Sequence, residues 1–359
     1  MQFQEHVSLA PFTTFRIGGP ARWFAQAATE SDVEEGVRFA REHQLPLFIL
    51  GGGSNLLVSD AGFPGLVLHI ALGGVAESVG VAEESGEDGT LFRVGAGEDW
   101  DALVARTVER GCGGVECLSG IPGTVGGTPV QNVGAYGQEV AQTIQRVRAF
   151  DRHTSTWVEL DKAQCRFRYR TSLFNHEERD RFIVSRVDYH LPSESSNIPA
   201  YPDLKRYFKE EQADSPTLSD VRRAVLAIRA GKGMVIAPGD PDTQSAGSFF
   251  KNPITTEDRL AQIAAAIDGS PAEVPHYAAG MDATGVGLVK IPAAWLLEQA
   301  GFRKGYQLGR AAVSTRHTLA LTNRGGATAA EIAQLRDTIQ QAVEAKFGLR
   351  LEPEPVWVS

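Results

Sequence analysis

Residues 31 to 50 carry two hydrophobic periods in succession. Val33, Val37 and Ala40 recur at helical spacing, with Ser31 and Glu34 placed as a capping box, so a helix ending near Gln44 is predicted. "LPLFIL" then begins an apolar strand. A second helix is predicted after Asp99, with Trp100, Leu103, Val104, Thr107 and Val108 on one face and Gly111 as its stop. Between the helices, "LVLHIAL" and "LFRVGAG" read as strands flanking an acidic turn, "EESGEDG". Beyond a glycine-rich run, strand-like segments end in "FIVSRVDYHL", where Ile183, Val187, Tyr189 and Leu191 fall at period two.

The pattern changes after "LPSESSNIPAYP", residues 191 to 202, whose three prolines and three serines mark the main boundary. Longer helices follow. One carries Val221, Val225 and Ile228, and another Leu260, Ile263, Ala264 and Ile267. The last starts at Thr328 with Glu331 completing its box, runs through Ile332, Leu335, Ile339 and Val343, and stops at Gly348. No internal repeat is evident. The class is α+β, richer in strands in its first half.

Composition narrows the partners. With 359 residues, 42% of them hydrophobic, two or three domains with substantial cores are expected. A net charge of −9 and the lack of a basic tract argue against nucleic acid. No signal-peptide order opens the chain, and no run approaches the roughly 20 apolar residues of a membrane span, so a cytoplasmic protein is expected. Cys112, Cys117 and Cys165 lack CxxC spacing and are read as reduced thiols.

Five stretches carry candidate chemistry. "GIPGTVGGTPVQNVGAYG", 120 to 137, has six glycines and no charged side chain, which suits a shaped apolar cradle whose backbone N–H groups bind an anion. "ILGGGSNLLVSD", 49 to 60, lacks the third glycine of a dinucleotide fingerprint and the lysine of a phosphate loop. With Ser54 and Asn55 as donors it suits a diphosphate held largely by backbone; a hairpin turn is the competing possibility. If "CRFRYRTSLF" is extended, Arg166, Arg168 and Arg170 share one face, either as solvated edge charge or as a clamp for a carboxylate or phosphate. "SAGSFFKNP" sets Ser248 between a flexible Ala-Gly and two aromatics, without the GxSxG of a nucleophile elbow. In "LRLEPEPVWVS", Val356, Trp357 and Val358 suggest a tail tied into a core, with Glu352 or Glu354 partly desolvated. No metal-ligand spacing occurs among the histidines and cysteines, which leaves a bound organic cofactor to carry the hard chemistry.

In order, "TFRIGGPA", "LGGGSNLLV", "SGIPGTVGG" with "QNVGAYG", "CRFRYR", "AGSFFKNP" and "LEPE" resemble the motifs of the UDP-N-acetylenolpyruvoylglucosamine reductases, and they span residues 14 to 354. The resemblance implies an FAD-binding fold of the vanillyl-alcohol-oxidase type over 1–192, in lobes of about 1–70 and 71–192. A smaller α/β substrate-binding domain would cover 193–359, with the extreme C-terminus returning to the active site. It implies non-covalent FAD held by Gly51, Gly52, Gly53, Ser54, Asn55 and Leu56, by Gly120, Ile121, Pro122, Gly123, Gly126 and Gly127, and by Gly134, Ala135 and Tyr136.

Tyr169, Lys232 and Asn252 would contact the UDP-sugar, and Tyr201 in "PAYPDL" would close over its diphosphate, as in the family's first type. Two departures are Thr13, where asparagine is common, and Gly127, where many first-type members have serine. The implied reaction passes a hydride from NADPH through FAD to C3 of the enolpyruvyl ether, with protonation at C2, in peptidoglycan precursor synthesis. Arg170 would stabilise the carboxylate charge, Ser248 would donate the proton, and Glu354 would act beside them. A monomer is expected. The alternatives are another FAD oxidoreductase of this fold and a non-redox nucleotide-sugar binding protein.

Overall fold

A computed structural model describes residues 1–81, 88–193, 201–281 and 284–359. Most of the predicted acidic turn "EESGEDG" and of the boundary segment "LPSESSNIPAYP" lies outside them. The chain forms two compact units. The first holds Met1–Val7, Ala21–Gly53 and Phe63–Val235; the second holds Ser8–Pro20, Ser54–Gly62 and Ile236–Ser359.

The first unit contains two sheets. A four-stranded sheet runs Gln4–Ser8, Pro20–Ala27, Phe63–Ile70, Leu47–Leu50, and the second and fourth of these both lie parallel to Phe63–Ile70. Helix α1, Glu30–Glu42, supplies the crossover between them. Its capping box is Thr29 with Asp32, two residues earlier than Ser31 with Glu34: the Thr29 hydroxyl accepts from the Asp32 N–H, and the Asp32 carboxylate accepts from the Thr29 N–H. The hydrophobic face therefore located the helix correctly, while two overlapping polar pairs competed for its start.

The second sheet is antiparallel, in the order Thr156–Asp161, Ile144–Asp151, Phe182–Pro192, Asp88–Gly95, Val75–Val81. Helix α2, Trp100–Glu109, starts at Asp99, whose carboxylate accepts from the Ala102 N–H. Both sheets and both helices contribute to one core, in which Val33, Val37 and Leu68 join Phe92, Trp100, Val187 and Tyr189.

Helices α3, Pro202–Glu210, and α4, Leu218–Gly231, complete this unit. Leu204, Phe208, Val221 and Val225 bury themselves against Cys117 and Tyr136. The division of the chain thus falls between Val235 and Ile236, and not between residues 192 and 193. The Pro/Ser segment marks a change of pattern, but the apolar faces that follow it belong to the first unit.

In the second unit, α5 is Asp258–Ala265, α6 is Ala293–Gln299 and α7 is Ala329–Phe347. Helix α7 has the predicted Thr328–Glu331 box, and Gly348 ends it in the left-handed region at φ 62°. Ile267 lies just past the end of α5. Two distant pieces of sequence enter this core: Phe15, Ile17 and Leu57 pack with Phe249, Leu296 and Leu335. The C-terminal Val356–Val358 pairs in parallel with Leu56–Val58. "ILGGGSNLLVSD" is therefore not a hairpin, because Leu47–Leu50 and Leu56–Val58 belong to different sheets. Among the described residues no helix is long and apolar enough to cross a membrane.

Candidate active site

The two glycine runs of the first unit meet backbone to backbone. A Cβ added to Gly52 would stand 2.5 Å from Gly123 Cα and 2.9 Å from Thr124 N, closer than real contacts allow. One added to Gly51 would meet Thr124 Oγ1 at 2.9 Å. Much of the glycine content thus serves the approach of one turn to the other.

The backbone nest expected of the longer run is correspondingly reduced. The N–H of Gly120 donates to the Asp101 carboxylate, that of Ile121 to Leu118 O, that of Gly126 to Ala96 O, and that of Gly127 to Thr124 O. None of these four is available to an anion. What the cradle does offer is the buried Thr124 hydroxyl, which has no hydrogen-bond partner, and the open side of Gly127, where an added Cβ would meet nothing within 4 Å. A bare, uncharged surface with one buried, unsatisfied hydroxyl fits an extended organic cofactor, since such a group is costly to leave dry and unpaired.

"CRFRYRTSLF" is not extended. Arg166 and Arg170 take left-handed backbone at φ 49° and 56°, and Arg168 and Thr171 bond to each other across a tight turn. The three arginines therefore do not share a strand face. Arg168 pairs with Glu177, and Arg166 is exposed. Arg170 is directed inward: its Nη2 donates to Gly134 O at 2.6 Å, and its guanidinium lies 5.3 Å from the centre of the Tyr169 ring. A Cβ on Gly134 would come within 3.0 Å of Arg170 Nη1, so glycine there makes room for the arginine. Left-handed backbone at a non-glycine residue costs on the order of 1–3 kcal/mol, and such strain gathers at functional positions.

A third group surrounds Tyr136, a buried residue whose phenol is pushed up to about 12 by burial. Gly134 and Ala135 lead into it through a short pairing with Gln138–Glu139. The Tyr201 ring packs edge-on at 5.1 Å between centroids, and Lys232 Nζ lies 5.7 Å from the Tyr136 ring centre. Tyr201 is the N-cap of α3 and 39% exposed. Lys232 is the C-cap of α4, and its Nζ donates to Asp203 Oδ2 at 2.6 Å.

The second unit assembles its own set. Residues 249–251 run antiparallel to 352–354: Glu354 N donates to Phe249 O at 2.9 Å, and Lys251 N donates to Glu352 O at 2.9 Å. This ladder brings the backbone of Glu354 beside that of Ser248's neighbour, although more than a hundred residues separate them. Asn55 Nδ2 donates to Glu354 O at 3.0 Å, so this amide secures the tail. Ser54 O accepts from the Thr14 hydroxyl. Asn252 Oδ1 accepts from the Ala293 N–H at the start of α6, which leaves its NH2 as the donor end. The buried Thr13 bonds Ala10 O and Ile17 O, so the departure there closes a local turn.

Sequence reasoning missed His317. Its Nε2 lies 3.4 Å from Ser248 Oγ. The sequence "STRHT" has no periodicity or ligand spacing that would mark its histidine. Among the described residues no group of side chains could hold a metal ion. All three cysteines are free and buried, and burial raises the thiols of Cys117 and Cys165 away from the reactive thiolate form.

Two sheets with an uncharged glycine cradle, followed by a second unit, fit an FAD-binding enzyme, and the comparisons with known proteins show that class. An FAD binding domain model matches residues 21–161, and the C-terminal domain model of UDP-N-acetylenolpyruvoylglucosamine reductase matches residues 240–358. The enzyme of that name from Streptomyces coelicolor is 46% identical over 98% of this chain and 88% of its own. The one from Thermobifida fusca is 45% identical over 99% of this chain and 98% of its own. The crystal structure of the Thermus caldophilus reductase covers 100% of both chains at 25% identity, with a TM-score of 0.65. The chain belongs to the UDP-N-acetylenolpyruvoylglucosamine reductase family, an FAD enzyme of peptidoglycan precursor synthesis. The expected α+β class with an FAD-binding domain ahead of a smaller domain holds.

Proposed function

We propose that this chain reduces UDP-N-acetylenolpyruvoylglucosamine to UDP-N-acetylmuramate with NADPH, as a cytoplasmic monomer, and that Arg170, Ser248 and Glu354 carry the chemistry. The observation behind this assignment is the pairing of residues 249–251 with 352–354, which fixes the backbone next to both Ser248 and Glu354. FAD, when bound, supplies two-electron hydride chemistry between the nicotinamide and the enolpyruvyl carbon. Thr124 and Gly127 are the residues whose unsatisfied or bare surfaces suit it, and Gly51 and Gly52 let the turn beside them close.

The chain's own side chains must manage charge and a proton. Hydride addition at C3 of an enolpyruvyl ether leaves negative charge at C2 that spreads into the carboxylate. The Arg170 guanidinium, oriented by Gly134 O, suits that charge. The Ser248 hydroxyl delivers the proton to C2. Glu354 acts beside it and assists an anion only as the protonated acid or through a bridging donor. Lys232 and the Asn252 NH2 are donors for the UDP-sugar, and Tyr169 and Tyr201 supply aromatic contacts and a phenol. Tyr201 at the exposed start of α3 suits the closing role of the family's first type. Family-specific matching of residues 240–358 supports this substrate over an oxidase reaction or a non-redox binding role.

The half-reactions separate cleanly. Ser248→Ala should take hydride from NADPH at the parent rate, because that step needs no proton at C2. Transfer to the enolpyruvyl substrate should fall by about 10²–10⁴-fold, the usual loss for a positioned general acid. Stopped-flow traces of flavin bleaching and recovery decide it; equal slowing of both phases, or of neither, removes Ser248 from the proton-donor role.

A further inference from the structure

We infer that His317 is the group that returns a proton to Ser248, so that serine and histidine act as a two-member relay; this rests on Ser248 being the proton donor. A serine hydroxyl alone is a poor acid, and giving up its proton would leave an alkoxide in a partly buried place. His317 Nε2, 3.4 Å from Ser248 Oγ, is within reach to prevent that. The distance is long for a hydrogen bond, as catalytic contacts often are before substrate binds.

The balance is simple. As the Oγ–H proton moves to C2, the Nε2–H proton of an imidazolium moves to Oγ. The serine is restored, the imidazole becomes neutral, and water reprotonates the half-exposed ring. No bond other than these proton bonds changes, and no electrons pass through the pair.

The turn that carries His317 is held by a dense set of backbone and side-chain bonds. Ser314 Oγ accepts from the N–H groups of both Arg316 and His317. Thr315 bonds the buried Asp242 through its N–H at 2.9 Å and also through its hydroxyl, and Arg316 pairs with Asp240 and Asp242. Thr318 Oγ1 donates to Glu298 Oε1 at 2.6 Å, and Ala320 N donates to His317 O. The serine side is tied to the same turn, since Phe249 N donates to Leu319 O at 2.7 Å. So many bonds to one short turn fix the separation of Oγ and Nε2, and a ring held at that distance from the proposed acid is suited to moving protons.

The test uses the FAD-loaded enzyme and three variants, Ser248→Ala, His317→Ala and His317→Gln. Both His317 variants should reduce with NADPH at the parent rate and pass hydride to the enolpyruvyl substrate about 10²-fold more slowly, the lower end of general-acid effects. Free imidazole should restore part of that rate in His317→Ala and none in His317→Gln, where glutamine fills the space and carries no titratable proton. Substrate titrated into the oxidised enzyme, followed by the flavin absorbance change, should bind all variants alike. Weakened binding, equal slowing of both half-reactions, no slowing, or no response to imidazole would each overturn the relay. If Ser248→Ala slows the second half-reaction and the His317 variants do not, the serine assignment stands and the histidine one falls. If Ser248→Ala itself is normal, the serine assignment fails first.

Discussion

The glycine runs around Gly52 and Gly123 and the strip around Ser248 are built in opposite ways. In the first unit, side chains are removed so that two turns can touch through their backbones, and each contact is steric. In the second, side chains are brought together by segments far apart in sequence: the 317 turn and the 354 tail both bond to Phe249, next to Ser248. The cradle is therefore expected to be sensitive to added bulk, whereas the proposed chemistry of the serine strip is expected to be sensitive to loss of a proton or its carrier.

The largest effect expected from this contrast is at Gly52. Gly52→Ala puts a methyl 2.5 Å from the Gly123 backbone, which cannot rotate away, and the variant should purify with little or no bound FAD. Gly127→Ala, with nothing within 4 Å of its added carbon and no positive φ, should fold normally, so any loss of colour there comes from collision with the cofactor itself. The flavin-to-protein absorbance ratio and the melting temperature of each variant measure both effects. A fully yellow Gly52→Ala would show that the close approach of the turns is dispensable.

The same contrast explains what could be read from the sequence. The α2 cap at Asp99, the α7 box at Thr328 and the apolar tail are local signals, and each appears in the structure where expected. What could not be read depends on distant partners. The arginines of "CRFRYR" look like a strand by alternation, but a turn that brings Arg170 to Gly134 overrides that pattern. The domain limit was misplaced because nothing in residues 202–231 announces that their apolar faces belong with Cys117 and Tyr136. The approach of His317 to Ser248 was invisible because the two lie 69 positions apart in sequence. A lone histidine in a polar stretch carries no spacing that would reveal it.

Asp151 tests whether the first unit also depends on a side-chain pair. It closes the strand Ile144–Asp151 and accepts two bonds from Arg181, at 3.1 and 2.7 Å, which hold its carboxyl down at about 2 from an ordinary 3.8. A depressed carboxyl contributes its stability in full above the unfolded value and loses it as pH falls through the folded one. Asp151→Asn should therefore cost about 1.5–3 kcal/mol at neutral pH, the range for hydrogen bonds to charged groups. The gap in melting temperature from the parent should be equal at pH 7 and pH 5 and smaller at pH 3. A gap that persists unchanged at pH 3 would locate the stabilisation in packing rather than in the ion pair.

The smallest effect concerns Lys232, the place in the first unit where side-chain chemistry most resembles that of the second. Its ammonium donates to Asp203 at 2.6 Å, and Arg206 pairs with the other oxygen of the same carboxylate. A diphosphate that uses Lys232 has to share it with that carboxylate or displace it. Asp203→Asn removes the competing charge, and because the pair is only partly buried its worth is about 0.2–1 kcal/mol. Affinity for the UDP-sugar should therefore rise by about 1.5- to 5-fold, at 1.36 kcal/mol per decade. The gain should fade in high salt, where charge competition between exposed groups is screened. Asp203 also sits in the first turn of α3, where a negative charge is favourable, so the variant should melt slightly lower while binding more tightly. Opposite signs for stability and affinity are the signature of a carboxylate that stands in for the ligand's phosphates. If binding weakens along with stability, Asp203 is instead the group that aims Lys232 at the substrate, and the polar chemistry of the first unit is as dependent on placement by a neighbour as Ser248 is in the second.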